Sequence, residues 1–418
     1  MKINRIILFA VIFSVILISA LLFVYLEKPG RHKIVLWTNN PELISYVEMF
    51  NSEHDRVKIE TLYKQNPSRE IMKTKKYPDL IIGSYLNSPQ IIDNFSRVNH
   101  LFKKNRIEKT SFYKNLLAKG SKNGRQFLLP VSFNMPALMF RKGDVSYNIS
   151  NFVLTSENIT EISRTFNENS SKGVSAFSPR WNTDMLYYNT VMSKADFKWN
   201  ESKKLSFSSE GIEKSLEITR SFIRNVNGGI EKDKLFEEKH LYKPDENLIA
   251  EQRIFFAYTD LKDFHAIGQN KRSGLNFRWL SSDERIPVCD DVIYAGIPRQ
   301  AVNKNGAEAF LIWFFNHETQ ERIMEAGKTK RIRTFGLCSG FSSVKTINEQ
   351  VFPRYYPLLV GHIPPADMLS FPTPLPVEWE QLKSDVIKKW LYKEAGNEKT
   401  LSDLESAIKD WYKIHPEF

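Results

Sequence analysis

Hydrophobic positions along the chain fall into three patterns. The first is a single uncharged apolar run over residues 6–26. At about 1.5 Å rise per residue such a run spans the roughly 30 Å hydrocarbon core of a bilayer. It has no polar face, as a helix packed on a globular core would. The only small-residue cut that suits a leader peptidase follows Ile18-Ser19-Ala20 and leaves apolar residues behind it, and no Cys ends the run to take a lipid. The pattern predicts a retained signal anchor over residues 1–30, a single transmembrane helix. Lys2 and Arg5 precede the run, and Lys28, Arg31 and Lys33 follow it. The short basic N-terminus argues for a tail inside and a body outside the cell membrane.

The second pattern is a short, bounded apolar run. KIVLW (33–37), VKIETLY (57–63) and PDLIIGSY (78–85) predict strands. Between the first two, Asn40-Pro41 opens a helix whose Leu43, Val47 and Phe50 recur at helical spacing. Strand, helix, strand in about thirty residues predicts a βαβ unit with a parallel pair. GRQFLLPVSFNMPALMFRKGD (124–144) carries two apolar runs broken at Pro130 and Pro136. After a Ser- and Asn-rich stretch (145–172), GVSAFS (173–178) predicts a strand, a helical pattern begins at Asp184, and RIFFAYTD (253–260) predicts a buried strand.

The third pattern is the broad helical stripe. After a strand ending at Ile297, Ala307, Phe310, Leu311, Phe314 and Phe315 mark one helix face; Asn316 breaks it, and a second helix is expected to end at Gly327. The tail from Glu378 is amphipathic, with a capping-box-like Ser402-x-x-Glu405. The body alone approaches 390 residues, more than one ordinary core, so two α/β domains are expected.

Composition narrows the function. The 29 Phe, 16 Tyr and 8 Trp exclude a disordered chain. Two cysteines, Cys289 and Cys338, cannot build a structural zinc site, although outside the membrane they could pair. The net charge of +11 is spread along the chain with no nucleic-acid-binding motif, which fits a basic surface near anionic lipid better than a nucleic-acid partner. Nucleophile-elbow, P-loop, zincin and dinucleotide fingerprints are absent, and His54, His100, His317 and His362 are scattered. The neighbours Asp290 and Asp291 open a strand, where adjacent side chains point to opposite faces, so they do not act as a pair. No catalytic residue, metal site or cofactor is expected.

Taken in order, KIVLWTNN, YPDLIIGS, NGRQFLLPVSFNMPALMFRKGD, RIFFAYTD, NKNGAEAF with NHETQERIMEAG, and GFSSVK resemble the extracellular solute-binding proteins of family 1, over about residues 33–415. These are the sugar-capturing subunits of ABC importers, with the maltose-binding protein as the familiar member. The resemblance implies a two-lobed periplasmic-binding-protein-like fold with a hinge. Lobe 1 would comprise 31–140 plus 290–340, and lobe 2 would comprise 141–289 plus 341–418, joined by crossings near 133–140, 286–292 and 337–345. It implies a carbohydrate ligand in the cleft, a membrane permease as partner, and no enzymatic activity.

Sugar recognition combines aromatic faces with planar polar groups. By position the candidates are Trp37, Thr38, Asn39, Asn134, Trp181, Asn182, Tyr258, Asp260, Trp279, Tyr294 and Trp379; core packing is the competing role for each aromatic. Arg180 and Arg333 would suit an acidic sugar. Competing functions are a sensor that presents its ligand to a receptor, a polysaccharide hydrolase or lyase, a surface protein without ligand, and a binder of polyamine, phosphate or metal chelate.

Overall fold

The computed structural model describes residues 32–144, 147, 149, 152–170, 173–200, 205–330 and 334–417. The expected anchor at 1–30 and Arg333 lie outside these residues, and no described helix is long and apolar enough to cross a membrane.

Twelve of the sixteen strands among the described residues build the two main sheets and the pairing between the crossings. In chain order they are β1 (His32–Thr38), β2 (Val57–Tyr63), β3 (Leu80–Ser84), β4 (Leu128–Phe133), β5 (Ala137–Arg141), β6 (Val153–Leu154), β7 (Ala257–Thr259), β8 (Leu275–Leu280), β9 (Ile286–Pro287), β10 (Ile293–Gly296), β11 (Phe341–Ser342) and β12 (Leu369–Ser370). One sheet has the order β11-β4-β10-β3-β1-β2, and another the order β7-β5-β8-β6. β1 lies parallel to both β2 and β3, with Ile34 opposite Ile59 and Leu36 opposite Leu80. β10 runs antiparallel to β3 and to β4, with a bulge between Ile293 and Tyr294. In the second sheet β5 is antiparallel to β7 and β8.

Each sheet is an α/β lobe. In the first, the helix Leu43–Glu53 buries Leu43, Tyr46, Val47 and Phe50 against the sheet, and Lys304–Phe314 buries Phe310, Leu311 and Phe314 beside it. Gly296 lets the Phe95 and Leu128 side chains close over β10: a Cβ there would lie 2.4 Å from the Leu128 side chain and 2.5 Å from Phe95. In the second lobe, the helix Ser156–Asn169 starts with a capping box on Thr155 and packs Ile159 and Phe166 with Leu138 and Phe140 of β5. A further buried cluster joins the helix Thr183–Met192 to the C-terminal helices through Tyr187, Trp379, Leu382 and Trp411.

The chain crosses between lobes three times. The first crossing is the tripeptide 134–136 between β4 and β5, and the second lies between β9 and β10. The third comes later than expected. Residues 341–342 pair with Ser132 and Phe133 in the first sheet, and the Phe341 and Phe133 rings stack at 5.8 Å. The chain leaves that lobe only afterwards, and β12 pairs with β9 on its way to the second.

Local differences from the sequence reading have plain causes. The SAFS part of GVSAFS is buried but forms no ladder, because Ala176 O accepts from both Phe255 N and Phe256 N. Only Ala257–Thr259 of RIFFAYTD pairs as strand. The last helix is capped by Asp403, which accepts from Glu405 N and Ser406 N, while Ser402 Oγ turns away to Glu394. The helix after Asn316 runs on to Thr329, past Gly327, because a solvated glycine does not by itself end a helix. Cys289 and Cys338 are separate buried thiols.

Candidate ligand cleft

The parallel strands β1 and β3 end at the boundary between the lobes, where open α/β sheets place ligands. On the first lobe's side the wall is built by the loop after β1 and by a hairpin turn at 337–340. Thr38 is buried and its Oγ1 accepts from Asn40 N at 2.9 Å; Asn40 Oδ1 in turn accepts from Glu42 N at 2.9 Å. These bonds start the helix and aim Glu42 at the turn. Cys338 and Ser339 both have positive φ, at +50° and +60°. That is the conformation of a tight hairpin turn usually built from Asn and Gly, and it is held here by specific partners. Cys338 N donates to Tyr46 Oη, Ser339 Oγ donates to Glu42, and Ser339 O accepts from Asn134 Nδ2 at 2.7 Å. Burial raises the Glu42 carboxyl above its ordinary range, although Ser339 and Tyr46 bond its charged form.

Asn134 sits in the first crossing, 8 % exposed, and its carbonyl accepts from Cys289 N in the second crossing. Its Oδ1 is buried with no hydrogen-bond partner among the described residues. A buried amide oxygen left bare costs about 1–3 kcal/mol, so this atom calls for a donor from outside the chain.

On the second lobe's side Tyr188 and Tyr258 stack, with centroids 6.1 Å apart and rings 12° from parallel. Asp260 follows β7 and caps the next helix through Asp263 N at 2.7 Å. Burial, with Asp263 close by, pushes its pKa up to about 7. Burial works against the Lys262 ammonium, but Asp291, Asp260 and Asp263 together hold its pKa above the ordinary value. Lys262 and Asp291 are nevertheless solvent-exposed.

Behind this wall, Asp290 is buried. Its Oδ1 takes Lys383 Nζ at 2.7 Å, and its Oδ2 accepts from Tyr187 Oη at 2.7 Å and Trp379 Nε1 at 2.6 Å. Burial alone would raise its pKa; Lys383 outweighs that and holds it low. A groove of about 500 Å³ opens beside the second crossing, lined by Tyr188, Asp290, Pro287, Phe371 and Leu375.

Of the residues expected in the cleft, the structure brings Asn39, Asn134, Tyr258 and Asp260 to this boundary. Trp279 and Trp379 are fully buried and Tyr294 is nearly so; Trp279 donates to His362 O and Trp379 to Asp290. Their apolar area is spent on the core. Trp37 lines a groove of about 1070 Å³ between β1, β2 and the helix Pro67–Lys73, with Lys64 Nζ 4.8 Å from its ring. Trp181 stacks on Phe236 at 4.8 Å, and Asn182 caps the helix Thr183–Met192. Arg180 is buried and held by Asp233 and Glu237. Glu42, Ser339, Tyr188 and Lys262 escaped the sequence reading, and Asp291 was weighed there only as half of an acid pair. Only Glu42, just past the first strand's end, carried a positional signal.

No family model and no curated protein matches the chain. Solved structures do. An ABC substrate-binding protein of Listeria monocytogenes in complex with cycloalternan aligns with a TM-score of 0.64 at 11% identity, over 93% of this chain and 100% of that one. The sugar-binding protein MalE of Xanthomonas citri aligns with a TM-score of 0.67 at 8% identity, over 91% and 96%. A cyclic alpha-maltosyl-1,6-maltose binding protein of Arthrobacter globiformis gives 0.60 at 14% identity, over 91% and 97%. Across almost its whole described length, this chain therefore has the two-lobed α/β fold of these substrate-binding proteins.

Proposed function

We propose that the protein is the extracytoplasmic substrate-binding subunit of an ABC importer, that it captures a sugar or oligosaccharide between its lobes, and that it hands the solute to a permease. The observation that carries this reading is the end-to-end likeness in fold to sugar-binding proteins. The cleft supports it with a bare buried amide oxygen at Asn134, the tyrosine pair Tyr188 and Tyr258, and carboxylates at Glu42, Asp260 and Asp291. Amides and carboxylates take sugar hydroxyls, and aromatic faces take the C–H side of the ring. Asn39, Asn134, Tyr258 and Asp260 remain the ligand-facing candidates of the sequence, with Thr38 shaping the loop behind Asn39 and Trp37 facing a separate groove of the first lobe. The N-terminal apolar run acts as a membrane tether that keeps the receptor at high effective concentration beside its permease.

A second reading, a cationic solute such as a polyamine, is favoured by the carboxylates of Asp260, Asp263 and Asp291 around a lone Lys262. Thermal unfolding of the full chain against neutral oligosaccharides, uronates, polyamines and phosphate tests both. Stabilisation by one neutral sugar class, recovered intact, supports the first reading; stabilisation by polyamines alone replaces it with the second. No shift with any solute overturns both.

A further inference from the structure

The loop after β3 reaches across the lobe boundary. Tyr85 follows the last residue of a first-lobe strand, yet it is 5 % exposed within the buried cluster formed by Tyr187, Trp379 and Leu382 of the second lobe. Its Oη donates to Glu380 Oε2 at 2.7 Å. Gln90, further along the same loop, grips the start of the same helix: its Nε2 donates to Glu378 Oε2 at 3.2 Å, and its Oε1 accepts from Val377 N at 2.7 Å. Unlike the three chain crossings, these bonds can break without the chain breaking.

The backbone of Tyr85 is a separate observation. Its φ is +59°, in the left-handed region that bulky side chains rarely occupy. A residue stays there only while its surroundings impose it. The surroundings here are in part its own turn, where Tyr85 O accepts from Ser88 N at 3.1 Å, and in part the other lobe: the buried cluster that takes the ring and the carboxylate that takes the hydroxyl. Glu380 is itself steadied by Lys383 at 3.0 Å, so the acceptor is held in place.

We propose that Tyr85 is a built-in clasp: its ring and hydroxyl hold the two lobes together when no solute is bound, and the lobes part only when the ring leaves the second lobe. The inference rests on the two-lobed binding reading, but its test needs no solute, so it fails or stands independently of the importer assignment.

The experiment is a distance measurement by pulsed electron resonance on the full chain in detergent micelles. Spin labels are placed at Ile44→Cys and Leu235→Cys, one on each lobe, both at exposed positions (52% and 64%), while the native thiols are buried. The parent is expected to give one narrow distribution, and Tyr85→Gly and Glu380→Ala each a longer and broader one. Glu380 is 53% exposed on its side chain, so its replacement reads the clasp even where Tyr85→Gly disturbs folding by circular dichroism. A lengthened distribution in either natively folded variant supports the clasp. Distributions that superimpose on the parent's in every natively folded variant overturn it.

Discussion

Trp379 shows how far neighbours decide the role of a single residue. Its place at the head of the last helical region suits a stacking platform, but Tyr187 and Phe197 pack against its ring and Asp290 takes its indole N–H. Trp379→Ala is therefore expected to cost about 3–5 kcal/mol of stability in the ligand-free protein, measured by denaturant unfolding, rather than to act on ligand binding alone. Asp260 carries a different prediction. Burial raises its folded pKa to about 7, above the ordinary unfolded value, so the native state holds the extra proton. Stability from this group is full below about pH 4 and is lost as pH rises through about 7. Asp260→Asn keeps the helix cap and removes that loss. The variant should match the parent in melting temperature near pH 4 and exceed it by a few degrees at pH 8. Asp260 was legible as a site residue because it ends a strand. Its ionisation was not legible, because that depends first on burial in the folded chain and then on the charges of Asp263 and Asp291.

At the scale of elements, the amphipathic tail was readable, but its geometry was not. The helix Trp379–Leu382 continues through a π-turn, Lys383–Ile387, into Lys388–Ala395. Such a turn carries one extra residue and re-aims the side chains around it. Lys383 lies in it with its side chain 6% exposed, against Asp290 at 4%. Removing one partner of a buried ion pair leaves an uncompensated charge, so Lys383→Met should cost about 3–5 kcal/mol in denaturant unfolding. Adding Asp290→Asn should restore most of that loss, a coupling that a double-mutant cycle reads directly. Asp290 and Asp291 lie in the turn before β10 rather than on the strand, so the alternation rule does not govern them, although the structure does bury the first and expose the second. Which of the two is buried is set by a helix some ninety residues away in the chain.

For the whole molecule, the net charge of +11 gives no hint of the carboxylates gathered along the second lobe's wall and second crossing. Ligand capture is a property of both walls together. A solute at a hundred times its dissociation constant should raise the unfolding free energy of the full chain by about 2.7 kcal/mol, read as a concentration-dependent shift in melting temperature. Sequence alone determined what depends on neighbours within a few residues or a few turns. The βαβ start, the aromatic helix stripe and the expectation of two α/β domains follow from hydrophobic period and chain length, while the crossing at Asn134 and the two-lobed plan came from the resemblance of the ordered motifs. Tertiary structure decided which aromatics face ligand and which face core, where the third crossing falls, and which carboxylates meet. Those outcomes depend on contacts between segments hundreds of residues apart, such as Tyr85 with Glu380 and Glu42 with Ser339, and no local pattern encodes them.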